Sequence, residues 1–214
     1  MLNYTRQGGK LCIMTKFIPN ILTFGRLVLT IIFLIMILYS PYAADRFCLL
    51  NTAFALFIIA GLTDIVDGAI ARRLNITSKL GRMMDPLVDK VLVCGAFVCF
   101  AIIGEPKLFN LPDVTLKIIL WLVAAILILR EAYVTILRHI AEARGINFAA
   151  VASGKIKMFL QSFAIAIVIV KMTYVRTAPW GHWFTAVTFV VMLIVTVISG
   201  LSATRRSSWK QAAR

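Results

Sequence analysis

Four aspartates are concentrated between Asp64 and Asp89, although the whole chain contains only 9 Asp and Glu residues. Asp64 and Asp67 are three residues apart and Asp85 and Asp89 are four apart, so each pair lies on one face of a helix. Two antiparallel helices joined by a turn over residues 74–79 would bring the four carboxylates together. An all-oxygen ligand set fits Mg²⁺ or Mn²⁺, whereas zinc would favour Cys or His. Two such ions close together are a device for phosphoryl chemistry.

The residues alone leave two alternatives open for this acidic stretch. The first is a solvated acidic face, but such a face would mix Lys with Glu and would not need Gly68 and Gly81 in helical register with the acids. Glycine lacks Cβ and therefore lets a flat ligand approach the helix backbone. The second is a set of intramembrane carboxylates that carry ions or protons, which would make the protein a small cation transporter.

The composition excludes an ordinary soluble domain, because the 214 residues are 61% hydrophobic and the mean hydropathy is +0.91. We expect an all-α integral membrane protein, a bundle of six transmembrane helices with a short amphipathic or interfacial N-terminal segment. About 20 mainly apolar residues are needed for each span. The predicted spans are 20–40, 47–71, 84–104, 114–137, 150–172 and 182–202. Residues 14–214 are expected to form one membrane domain, and residues 1–13 an extension from an alternative start or a non-native addition.

The net charge of +14 raises the question of nucleic-acid binding, but the basic residues flank apolar runs. That distribution predicts contact with anionic lipid headgroups and sets the topology. Most of the 23 Lys and Arg residues fall on the side that contains both termini and the aspartates, so that side is predicted to be cytoplasmic. The four cysteines have no metal-binding spacing, and no disulfide is expected.

Two further groups of polar residues lie beside apolar spans. Asn20, Thr23 and Arg26 share a helix face at the start of the first span, where a helix cap plus a topology-setting arginine is the alternative. A second group is basic and could form a phosphate pocket; it comprises Arg130, Arg138, Lys155 and Lys157. The alternative for this second group is snorkelling of long side chains, with Glu131 as a salt-bridge partner.

The stretch from Asp64 to Asp89 has the pattern D-x2-D-G-x2-A-R-x8-G-x3-D-x3-D. This pattern resembles, at all its fixed positions, the signature of the CDP-alcohol phosphotransferase family. The segment P-N-x2-T-x2-R from Pro19 and the segment S-G-K-x-K-x3-Q from Ser153 resemble the phosphatidylglycerophosphate synthase subgroup. Met158 departs from that subgroup, which usually has Thr after the second lysine.

The resemblance implies a membrane enzyme that transfers a phosphatidyl group from CDP-diacylglycerol to sn-glycerol 3-phosphate and releases CMP. It implies Asp89 as general base and two Mg²⁺ or Mn²⁺ ions on Asp64, Asp67, Asp85 and Asp89. The implied CDP-lipid site comprises Asn20, Thr23, Arg26, Gly68, Ala71, Arg72 and Gly81. The phosphate of the acceptor would bind to Arg130, Arg138, Lys155 and Lys157.

The resemblance leaves the acceptor open, because inositol phosphate, serine or phosphatidylglycerol serve other members of the same family. The basic group favours a phosphorylated acceptor without choosing between glycerol and inositol. The resemblance also implies a homodimer in the inner, cytoplasmic membrane of a bacterium, with lipid around it and no nucleic-acid partner.

Overall fold

The computed structural model describes residues 23–74, 79–143 and 152–212, with side chains for 23–63, 87–141, 143, 154 and 156–204. These parts of the chain are helical and contain no strand, which confirms the all-α fold class. Within them we number six helices in chain order: α1 (Thr23–Tyr39), α2 (Arg46–Leu74), α3 (Lys79–Ile103), α4 (Asp113–Ala143), α5 (Ala152–Thr173) and α6 (Pro179–Ala212). The predicted N-terminal segment and residues 1–13 lie outside the described residues.

The described residues include four helices that are long and apolar enough to cross a membrane. The qualifying segments are Arg46–Thr63, Asp113–Ala141, Ile156–Thr173 and Pro179–Thr204. A shorter apolar helix, Thr23–Tyr39, precedes them. The chain is therefore a membrane protein, while the count of six spans and the cytoplasmic position of the termini stay predictions.

Helix bounds follow the predicted spans with two differences. Helices α2 and α4 extend past their apolar cores to Leu74 and Ala143, as the sequence predicts. Helix α3 begins at Lys79 instead of near residue 84, and α6 continues to Ala212 instead of ending near residue 202. The extra turns of α6 are polar but rich in Ala, Arg, Lys and Gln, which are strong helix formers.

Three threonine hydroxyls in the helices are satisfied within their own helix. Thr63, Thr185 and Thr188 each donate a hydrogen bond to the backbone carbonyl four residues earlier, at 2.8 Å. This pairing removes the cost of an unmet donor where water is absent. Large apolar side chains such as Val187, Ile194 and Leu201 are exposed along α6, as expected of a helix that contacts lipid.

The chain forms two compact units, Met1–Leu92 and Val93–Arg214, with α3 continuous through the boundary. In the first unit Phe33 of α1 packs on Phe57 of α2, with ring centroids 5.5 Å apart. In the second unit α6 packs against both α4 and α5. Buried side chains there include Leu116, Leu127, Ile165, Ile169 and Met192.

The turn before α4 is held to the start of α6 within the second unit. Gly104 has a φ of +68°, a left-handed conformation that glycine adopts without strain. The Phe109 amide donates to Nδ1 of His182 at 3.2 Å, and the Phe109 ring packs edge-on against Trp183. His182 therefore fixes the turn that joins α3 to α4.

Candidate active site

The helices place the four aspartates as the sequence predicts. Residues 64 and 67 lie on α2, residues 85 and 89 lie on α3, and the two helices end and begin at Leu74 and Lys79 around the predicted turn. The side chains of several predicted residues lie outside the described residues, namely Asp64, Asp67, Gly68, Ala71, Arg72, Gly81 and Asp85. The described side chains contain no group of three or more potential metal ligands. Convergence of the four carboxylates stays a prediction.

Asp89 is the one predicted metal ligand and base whose side chain lies within the described residues. It accepts a hydrogen bond on Oδ1 from Nη2 of Arg26, and the two form an ion pair between α3 and α1. The Arg26 side chain is 3% exposed and that of Asp89 is 28% exposed. An ion pair requires the ionised carboxylate, which is the form that accepts a proton or binds a cation.

The structure describes two of the three residues predicted to share a face of α1. Thr23 and Arg26 lie one helical turn apart on α1 and both are buried, which fits the predicted shared face. Asn20, the third member of that face, lies outside the described residues. Arg26, predicted to contact the CDP-lipid, is positioned by Asp89, so the predicted lipid contact and the predicted base are joined by one ion pair.

A second polar cluster lies inside the second unit, where α4, α5 and α6 contribute one or two residues each. Arg130 Nη1 donates to Oε1 of Glu131 at 2.9 Å, and Lys157 of α5 donates to the same oxygen. Arg130 Nη2 donates to Oγ of Ser199 on α6 at 2.5 Å. We call Arg130, Glu131, Lys157 and Ser199 the cation cluster.

The cation cluster carries more positive than negative charge. Two cations share one carboxylate, and the side chains of Arg130, Glu131 and Lys157 are only 12%, 13% and 7% exposed. Burial of an uncompensated charge is costly. An anion such as a phosphate would balance the remaining positive charge, and the Arg guanidinium matches phosphate oxygens with paired donors.

Of the four residues predicted to bind the acceptor phosphate, the structure brings two together. Arg130 and Lys157 meet at Glu131, which the sequence offered as a salt-bridge partner in the alternative interpretation. Arg138 is exposed on α4 and has no partner among the described side chains. The side chain of Lys155 lies outside the described residues. Salt bridging and phosphate binding are compatible, because the cluster keeps a net positive charge.

Sequence reasoning missed Ser199, although a signal for it exists. Ser199 and Gly200 interrupt the apolar run of α6 toward its C-terminal end, and Arg130 lies toward the C-terminal end of α4. Two spans separated by one antiparallel span run in the same direction, so residues near their C-terminal ends lie at the same depth. A Cβ added at Gly200 would lie 3.5 Å from Cγ of Arg130, so Gly200 lies beside the aliphatic stem of that arginine. Ser199 contacts its guanidinium head.

The described parts of the chain contain helices and no strand, include four helices of membrane length, and define a polytopic membrane protein. Residues 16–205 match the family model described as CDP-alcohol phosphatidyltransferase. The chain belongs to this family of membrane enzymes.

Several curated proteins are similar in sequence to this chain over most of its length. A CDP-diacylglycerol–glycerol-3-phosphate 3-phosphatidyltransferase of Bacillus subtilis is 32% identical over 191 residues, which is 86% of this chain and 91% of that protein. A probable phosphatidylglycerophosphate synthase of Mycobacterium tuberculosis is 30% identical over 192 residues, 89% of this chain and 81% of that protein. A Rickettsia typhi protein with the same name as the Bacillus one is 29% identical over 154 residues, 72% of this chain and 76% of that protein.

Proposed function

We propose that this protein transfers the phosphatidyl group of CDP-diacylglycerol to sn-glycerol 3-phosphate, giving phosphatidylglycerophosphate and CMP. Family membership supports the reaction type, and the names of the relatives support the acceptor. The observation that carries the choice of a phosphorylated acceptor is the cation cluster, where Arg130 and Lys157 outnumber Glu131 in a largely buried setting. Serine and phosphatidylglycerol lack the terminal phosphate that such a cluster would bind.

The chemistry of the donor set fits a divalent cation. The helical backbone at residues 64 and 67 of α2 and at 85 and 89 of α3 gives two pairs of carboxylates at one-turn spacing. We propose that Asp64, Asp67, Asp85 and Asp89 hold two Mg²⁺ or Mn²⁺ ions. When bound, these ions supply Lewis-acid polarisation of the reacting phosphorus and neutralise charge on the departing CMP.

Side chains of the protein would accept the proton of the acceptor hydroxyl and bind the phosphate of the acceptor. Asp89, positioned by its pairing with Arg26, accepts the proton of the attacking glycerol hydroxyl as general base. The hydroxyl oxygen forms a bond to the phosphatidyl phosphorus while the bond from that phosphorus to the CMP oxygen breaks. Arg130 and Lys157 bind the phosphate of glycerol 3-phosphate.

CMP release by the purified full-length protein tests this proposal. The assay supplies CDP-diacylglycerol with glycerol 3-phosphate, inositol phosphate, serine or phosphatidylglycerol, each with Mg²⁺, with Mn²⁺ and with a chelator. We expect metal-dependent CMP release with glycerol 3-phosphate above all other acceptors. CMP release with another acceptor alone would contradict the acceptor, and release in the chelator would contradict the metal site.

The small cation transporter is tested on the same preparation after reconstitution in liposomes. That alternative predicts ion flux across the vesicle membrane without release of CMP, whereas the proposed function predicts the reverse. Asp64→Asn and Asp67→Asn should each abolish CMP release. Asp45→Asn is the matched control, because Asp45 accepts from the Cys48 amide at the start of α2 and asparagine caps a helix equally well.

A further inference from the structure

The Arg130 guanidinium has two partners of different kinds. Glu131 is charged and lies at 2.9 Å from Nη1, whereas Ser199 is neutral and lies at 2.5 Å from Nη2. Because the partners come from α4 and α6, they fix the plane of the guanidinium relative to two helices. A flexible arginine side chain loses much rotational freedom when it is ordered, so a site that orders it in advance binds its ligand more tightly.

A neutral second partner leaves the charge of Arg130 available. A second carboxylate at position 199 would cancel the remaining positive charge of the cation cluster, whereas a serine hydroxyl accepts the N–H without adding charge. The hydroxyl also has a hydrogen of its own, for which no described residue is an acceptor. Ser199 is 3% exposed, so this donor faces the interior of the second unit and not bulk water.

Other donors in the same interior lack acceptors within the described part of the chain. Nε of Arg130, Nε2 of Gln161 and Oγ1 of Thr196 are buried atoms without a hydrogen-bond partner. Gln161 lies one helical turn beyond Lys157 on α5, and Thr196 lies one turn before Ser199 on α6. Buried donors without acceptors are costly, and a phosphate supplies acceptors only.

We propose that Ser199 is a positioning residue for the acceptor phosphate: it holds the Arg130 guanidinium in its binding orientation without neutralising it. The inference rests on the proposed function, in which Arg130 binds the phosphate of glycerol 3-phosphate. Ser199 acts through Arg130 and needs no contact with the reacting atoms. Its loss should therefore weaken binding of the water-soluble substrate and leave the CDP-lipid unaffected.

Steady-state kinetics on Ser199→Ala, Ser199→Thr and Ser202→Ala test the inference. A hydrogen bond to a charged group contributes enough that its loss should raise the KM for glycerol 3-phosphate about tenfold in Ser199→Ala. The KM for CDP-diacylglycerol should stay within about twofold, and Ser199→Thr, which keeps a hydroxyl, should restore most of the loss. Ser202→Ala is the control, since the Ser202 hydroxyl bonds only to the backbone of its own helix, at 3.0 Å from the Ser199 carbonyl.

An unchanged KM for glycerol 3-phosphate in Ser199→Ala would overturn the inference. So would an equal rise in both KM values, because that result indicates a general packing defect. Binding of inorganic phosphate, measured as protection against thermal unfolding, gives a readout that needs no turnover. If the wild type released no CMP with glycerol 3-phosphate, the proposed function would fail, and the protection by inorganic phosphate alone would decide the inference. Protection that is lost in Ser199→Ala but kept in Ser202→Ala would support the inference, and equal protection in both variants would refute it.

Discussion

Arg26 on α1 donates to Asp89 on α3, so the proposed general base is paired with a buried guanidinium that lies 63 residues earlier in the chain. The pair joins the two segments that the sequence assigned to different tasks, the face of α1 and the aspartate motif. The partner of Asp89 therefore fixes the position of its carboxylate.

Arg26→Ala should lower kcat more than it alters either KM. The carboxylate of Asp89 loses the partner that positions it, and we expect kcat to fall roughly tenfold to a hundredfold, since a misplaced catalytic group can cost about a hundredfold. Arg26→Lys, which keeps the charge but not the planar donors, should fall between. Arg176→Ala is the control, since Arg176, which follows α5, bonds only to the carbonyl of Met172 near the end of that helix, at 2.9 Å. Equal kcat in all variants would refute a role for the pair.

Asp89→Asn should abolish turnover while the protein still inserts and folds. Asparagine can accept from Arg26 but cannot take up a proton, and general base catalysis contributes about a hundredfold to ten-thousandfold. The checks are CMP release and the elution of the detergent-solubilised protein on size exclusion. Asp45→Asn, at the start of α2, should leave both unchanged. Wild-type turnover in Asp89→Asn would remove Asp89 from the role of base.

The helices of the site follow from the sequence, and the ion pairs do not. The apolar lengths and the one-turn spacing of the aspartates predict α2 and α3 because both are local properties of the chain. The pairing of Arg26 with Asp89 depends on how α1 and α3 are rotated and shifted against each other. One-dimensional spacing contains no information on that rotation.

The contacts within the cation cluster also could not be predicted from spacing along the sequence. Its basic members could be named from the sequence because positive charge at membrane depth is expensive and needs a purpose. Glu131 was named only as the partner in an alternative, and Ser199 was not named, since serine is common in membrane helices and gains meaning only from the neighbour it faces. The polar end of α6 was also missed, because apolar length marks a span and not the helix that continues beyond it.

Glu131→Gln should destabilise the second unit and make its stability depend on phosphate. Without the carboxylate, Arg130 and Lys157 are left as two buried cations, for which the cost is up to about 3–5 kcal/mol. Inorganic phosphate should raise the unfolding temperature of this variant more than that of the wild type. Glu105→Gln, in the turn before α4, is the matched control. An identical response of wild type and Glu131→Gln to phosphate would contradict the charge argument.

Gly104→Ala should destabilise the fold without changing either KM. Gly104 has a φ of +68°, and a Cβ there would also lie 3.2 Å from Cε of Lys117, so we expect a loss of about 1–2 kcal/mol. Gly61→Ala is the opposite case, because Gly61 is inside α2 with nothing within 4 Å of an added Cβ, and alanine should stabilise that helix by about 0.5–1 kcal/mol. Thermal unfolding in detergent measures both, and a stabilised Gly104→Ala would show that the turn tolerates a side chain.

Arg130→Ala should weaken glycerol 3-phosphate binding more than Arg138→Ala does. Arg130 is part-buried and held by Glu131 and Ser199, whereas Arg138 is exposed and would have to be ordered when the ligand arrives. We expect the KM for glycerol 3-phosphate to rise about a hundredfold in the first variant and about threefold to tenfold in the second. Titrations at fixed CDP-diacylglycerol compare them directly. A larger effect at Arg138 would place the phosphate nearer the end of α4 than the cation cluster. Arg130 would then have a structural role and would not bind the phosphate.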